Sequence, residues 1–258
     1  MVYGFRVMIA RRLAGRGTRC RAIVSDRRRS NPNGEDGADD MAVSEDPTGF
    51  GLMPMSQIGA IGACPHFAAG TADAYKLLGS WVKSYLMVSH PELGRSGAVC
   101  PFTPQAFRLD TIRIGVCDAT SLDRASVLAG MRRCFQEFKQ IPCSASMKHF
   151  RTVIVGFPKL GDAAGLETLA AVQGRLKFHS LLRGLMVGLF HASTDAPGLW
   201  NPEFRPLRSP IPVLAIRHLV ANDAPFAARH PLLVPSYVAR YPVAGSKKLL
   251  AQFVRRFG

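Results

Sequence analysis

The stretch IRIGVCDATSLDRASVLAGMRRCFQEFKQIPCSASMKHFRTVIVGF, residues 112–157, decides the fold class. It opens with an apolar, β-branched run at Ile112 to Cys117 that reads as a strand. Thr120 to Asp123 fits a capping box. Val127, Leu128, Met131, Phe135 and Phe138 then recur on one helical face, which stops before Pro142. Phe150 to Phe157 is again β-branched and apolar, a second strand. Working outward, Leu77, Leu78, Trp81, Val82, Tyr85 and Leu86 predict an earlier helix within Thr71 to Val88, closed by His90-Pro91. Downstream, Leu166 to Leu182 is helical, Leu185 to Phe190 is a strand, and Val213 to Val220 is a last strand. Asp223 is placed to cap a final irregular helical region interrupted by Pro231 and Pro235. Strands alternating with helices predict an α/β (or α+β) domain, a mixed four- to five-stranded sheet with helices packed on it.

The chain has 258 residues and a net charge of +15. A single domain is the default at this length. Residues 1 to 29 carry nine arginines against Asp26 alone, and SNPNGEDGADD follows at 30–40. That composition predicts a disordered, arginine-rich extension over 1–52, with the α/β domain at 55–258. A start at Met41, Met53 or Met55 is an alternative to Met1. From residue 51 onward 24 basic and 11 acidic residues are spread thinly, apart from Lys247, Lys248, Arg255 and Arg256 in the amphipathic KKLLAQFVRR. Such a pattern suits a solvated terminal helix or a contact with phosphates. No predicted helix is lined with arginines, so no specific nucleic-acid partner is expected. No apolar run is long enough to span a bilayer, and the scattered cysteines lack zinc-cage spacing. Reduced thiols in the cytoplasm are the expectation.

Nucleotide-loop, zincin, serine-hydrolase and dithiol motifs are missing: there is no GxGxxG, GxxxxGK[ST], HExxH, GxSxG or CxxC. Two stretches stand out instead, HPELGRSGAVCPF (90–102) and PGLWNPEFRPLRSPIPVLAIRHLV (197–220). Arg205 and Arg208 sit in a proline-stiffened loop where guanidinium groups suit the carboxylate or phosphate of a small ligand, or else pair with Glu203. On the last strand the period of two puts Arg217 on one face and His218 on the other. His218 is a candidate general base or metal ligand, or else a hydrogen-bonded core residue, and His191 has the same readings. Gly115 and Gly188 interrupt strands where a helix, or a flat ligand, comes close.

The two stretches resemble the signatures of an uncharacterised bacterial domain-of-unknown-function family, over about residues 70 to 243. The resemblance implies no reaction. The Cys-Pro-Phe at 100–102 is more remotely similar to YqcI/YcgG-type proteins, some of which are haem-dependent oxygenases. That likeness makes haem a candidate cofactor with Cys100 as a thiolate ligand; Cys64-Pro65 repeats the dipeptide. Two functions follow. One is an enzyme on a small polar or anionic metabolite, with Cys100 and His218 catalytic, His191 binding the cofactor, and Arg205, Arg208 and Arg217 holding substrate. The other is a non-catalytic ligand- or partner-binding module built from the same loops. They separate on geometry, since the enzyme needs Cys100, His191, Arg205, Arg208 and His218 to converge on one cleft, and the 94–102 and 191–210 loops to meet.

Overall fold

A computed structural model describes residues 49–63, 69–118, 123–224 and 234–257. Cys64 and Thr120 lie outside the described residues, as do residues 1–48, where nearly all of the predicted extension falls.

The 112–157 stretch forms two parallel strands joined by a helix. β2, Ile112–Val116, runs beside β3, Thr152–Gly156, from Ile112↔Thr152 to Val116↔Gly156. The connecting helix α3, Arg124–Gln140, begins three residues later than the capping-box reading, because Asp123 itself is the N-cap and accepts the Ser126 backbone N–H at 2.7 Å. Phe150 belongs to a 3₁₀ turn, Ala145–Phe150, so β3 starts at Thr152. Helix α4, Ala163–Leu182, leads to β4, Leu185–Phe190. The last strand β5, Val213–His218, inserts antiparallel between β3 and β4. A short β1, Met53–Pro54, pairs antiparallel with β2 and completes a mixed five-stranded sheet, β1-β2-β3-β5-β4.

Both faces of the sheet are covered, which is why its strands read as continuous apolar runs. Ile112, Ile114, Ile154 and Val213 pack against helix α1, Ala69–Trp81, and the short α2, Thr103–Arg108. Val153, Val155, Leu214 and Ile216 point the other way, against α3 and α4. A third cluster joins Leu181 and Leu219 to Tyr237 of α5, Val234–Arg240, and Leu249 of α6, Pro242–Phe257. Of the region read as irregular after Asp223, residues 234–257 form two helices, and Pro231 lies outside the described residues.

The packed chain reaches further back than 55. Phe50 is buried, and its ring occupies the space that a Cβ at Gly130 would need. The carbonyl of Phe50 also lies 2.7 Å from where a Cβ at Gly115 would stand, so that glycine admits the 50–52 segment rather than a ligand. A Cβ at Gly188 would meet the Phe190 ring of its own strand.

A candidate ligand groove between two loops

The carboxyl ends of β2, β3 and β4 share one end of the sheet, and residues 191–212 cross it to reach β5. This connection is stiffened by its own polar groups. The His191 N–H donates to Thr194 Oγ1 at 3.1 Å, Gly198 N–H to the Phe204 carbonyl at 2.8 Å, and Glu203 N–H to Asn201 Oδ1 at 3.0 Å. It then leans on the loop after α1. Asn201 Nδ2 donates to the Glu92 carbonyl at 2.8 Å. Gly94, at φ +74°, lies so near the Trp200 carbonyl that a Cβ would stand 3.0 Å from it, a backbone approach and conformation that favour glycine.

Between the two loops lies an open groove of about 470 Å³, walled on one side by Trp81, Tyr85, His90 and Glu92 and on the other by Ala192 and the Glu203 to Pro210 segment. Helix α1 shapes the first wall by widening into a π turn over Val82–Leu86. Such turns are frequent at functional sites. Trp81 and Tyr85 stack here with ring centres 6.4 Å apart, and His90 lies 4.6 Å from the Phe204 ring. His90 also caps the Pro91–Leu93 turn, its Nδ1 accepting the Glu92 N–H at 3.2 Å. The Trp81 ring is buried, and its Nε1 has no hydrogen-bond partner among the described residues. Burial raises the Tyr85 phenol above its ordinary pKa, and the nearby Arg208 charge partly opposes this.

Arg205 and Arg208 both line this groove, and neither forms an ion pair with Glu203. Arg205 donates to the carbonyls of Pro202 and Phe204. Arg208 donates Nε–H to the Thr194 carbonyl at 3.3 Å and reaches Asp195 at 3.7 Å, a pair exposed to water on both sides. His191 stands just outside, its Nδ1 3.0 Å from Ser193 Oγ. The expected meeting of the two loops is therefore present, but the expected company of residues is not.

Arg217 and His218 close β5 at the opposite end of the sheet, about 16 Å from Val213 at strand spacing. Arg217 forms a fork with Asp223, both N–H···O contacts at 2.7 Å, while the same carboxylate accepts the Val220 N–H at 2.9 Å. Burial works against the Arg217 charge, yet the Asp223 hydrogen bonds and charge outweigh it and the pKa is raised. His218 points to the other face of the sheet, its ring 5.0 Å from Phe138. Burial first, then the charges of Arg151, Arg240, His149 and Lys148, push its pKa down to about 4. Cys100 is half-buried against the α1-side core, with its N–H on the Leu86 carbonyl and its carbonyl accepting Thr103 N–H, close enough to influence Arg217. Cys100 and His218 do not come together, because the two side chains lie on opposite faces of the sheet.

The groups present do not fit a haem. Cys100 does not line the groove. His90 does, but with Nδ1 spent as an acceptor its Nε2 carries the proton and offers iron no lone pair. Among the described residues no cluster of three His, Cys, Asp or Glu could hold a metal ion.

Comparison with known families then places the chain. It belongs to the family described as a domain of unknown function, DUF6875. The DUF6875 match covers residues 75–252, so both walls of the groove lie inside it. No curated protein and no solved structure matches. Sequence reasoning missed Trp81, Tyr85, His90 and Glu92. The signal was there in His90, which opens the first quoted stretch but was read only as the end of a helix.

Proposed function

We propose that this DUF6875 chain binds a small organic anion in the groove between the 85–94 and 191–210 loops, the non-catalytic alternative of the two functions. The observation that carries it is a pair of guanidinium groups beside the partly open rings of Tyr85 and His90: Arg205 is held by backbone carbonyls that neutralise no charge, and Arg208 by the Thr194 carbonyl and a long, water-exposed ion pair with Asp195. A carboxylate or phosphate meets the arginines as a charge-assisted hydrogen-bond acceptor. Glu92 and Glu203 line the same groove and suit an amino group on that ligand. The enzyme reading has lost Cys100 and His218 as partners and rests on His90, the one histidine lining the groove among the described residues. The four described cysteines, Cys100, Cys117, Cys134 and Cys143, are free thiols, which supports work in a reducing compartment such as the cytoplasm. No described helix is long and apolar enough to cross a membrane.

The test is calorimetry against small carboxylates and phosphate esters, with and without an amino group. Arg205→Gln and Arg208→Gln should each weaken a bound anion roughly tenfold or more, the scale of a charged hydrogen bond. A Trp200→Phe variant leaves Trp81 as the sole indole and a fluorescence reporter of occupancy. If no anion binds, or if both arginine variants bind like the parent, the groove is not the site.

A further inference from the structure

Two parts of the chain contain no acid at all. Residues 168–194 and 224–258 hold no Asp or Glu, against nine Lys and Arg. Folding brings the described helices of the two parts together, because Leu181 of α4, Tyr237 of α5 and Leu249 of α6 share one cluster. Arg240 lies over Gly184, filling the space a side chain there would take.

Large apolar side chains stand in water on these helices. Phe178 and Leu182 of α4 are each 48% exposed, and Val243 and Leu250 of α6 are 69% and 66% exposed. Their spacing is regular. Val243, Lys247 and Leu250 fall at i, i+4 and i+7, one stripe of α6, while Gly245 and Leu249 turn inward. On α4, Arg175, Phe178 and Leu182 form a similar outward stripe. Large exposed apolar residues cost solubility, and so they call for a partner. Phosphate backbones attract the arginines and lysines but give leucine nothing. An interface of anionic headgroups over acyl chains satisfies both kinds of side chain at once.

We propose that α6 docks this protein onto the surface of an anionic bilayer. Val243 and Leu250 enter the boundary between headgroups and acyl chains, and Lys247 extends toward the phosphates with its stem along the apolar surface. The flanks are acid-free, and the neighbouring carboxylate, Asp223, is buried and neutralised by Arg217.

Sedimentation of the full chain with vesicles tests this. Binding should appear with phosphatidylcholine vesicles containing phosphatidylglycerol and be weak with phosphatidylcholine alone. Val243→Glu/Leu250→Glu should reduce it by roughly tenfold or more, and Lys247→Gln by roughly fivefold. Both sites are exposed, so unchanged thermal melts will show that folding is intact. The nine arginines of residues 1–29 can also adsorb to anionic lipid, but such adsorption ignores Leu250. If the double glutamate variant sediments like the parent, the proposal falls. It falls equally if pure phosphatidylcholine binds as well. Retention on duplex DNA that is unchanged by the glutamates, without vesicle binding, would point to nucleic acid instead.

Discussion

His218 shows how far one residue's surroundings can move it from its expected role. A base working near neutral pH needs a pKa near neutrality, and this imidazole is held at about 4 by burial and by four basic neighbours. Its Nε2 is buried without a partner among the described residues. The group is therefore neutral in the folded protein at ordinary pH and serves as packing against Phe138. The consequence for stability has a definite sign. The unfolded chain titrates near 6.5 and the folded one near 4, so between those values the unfolded state binds more protons. Stability falls as the pH drops from about 6.5 to about 4 and levels out below. Urea melts across that window should show the parent losing stability on acidification and His218→Gln losing less. Equal pH dependence in the two proteins would show that His218 does not carry the effect. Cys100 makes the same point by a different route: a Cys-Pro dipeptide fixes local backbone, but only the sheet decides which side chains the sulfur meets.

At the scale of elements, strand and helix identity was readable because burial on two sides of the sheet leaves a continuous apolar signal. β4 begins and ends where Leu185 and Phe190 predict. What the pattern could not carry was the order of pairing. β5 follows β4 in sequence yet inserts between it and β3, and nothing in an apolar run specifies its neighbour. That choice separates Arg205 and Arg208, before the strand, from Arg217 and His218 at its far end. The groove's aromatic wall was hidden for a related reason, since Trp81 and Tyr85 have the spacing of a core face and the π turn that opens it has no sequence signature. Arg217 turned out to be a fastener between elements. It ties the end of β5 to the Ala221–Asp223 turn through a buried carboxylate. Asp223→Asn should cost about 2 to 3 kcal/mol in urea unfolding, less than a fully buried pair because the arginine is partly solvated. It should leave the groove's ligand affinity unchanged, because the groove lies at the other end of the sheet; a loss of affinity without a loss of stability would contradict this placement.

For the whole molecule, the open matter is where the self-sufficient domain begins, and Phe50 decides it. Its ring packs edge-on to Phe157 at 5.8 Å, and its carbonyl accepts N–H from Val116 at 2.8 Å and O–H from Tyr75 at 3.2 Å. The neighbouring Gly51 carbonyl also accepts from the Tyr75 hydroxyl. Of the alternative starts, Met41 keeps these contacts, whereas Met53 and Met55 delete them. Losing a buried phenylalanine costs about 3 to 5 kcal/mol, before the lost hydrogen bonds from the Tyr75 hydroxyl and Val116 N–H are counted. That is a large share of the roughly 5 to 15 kcal/mol that stabilises a domain. At about 2 to 4 °C per kcal/mol for a domain of this size, a chain starting at Met53 should melt roughly 10 °C or more below the full chain, or fail to accumulate in soluble form. A chain starting at Met41 should melt with the full chain, because the arginine-rich composition before it lacks a core-forming apolar pattern. Thermal melts of the three lengths distinguish the outcomes. Equal melting of the Met53 form would show that Phe50 is dispensable, and a destabilised Met41 form would show that residues 1–40 contribute to the fold.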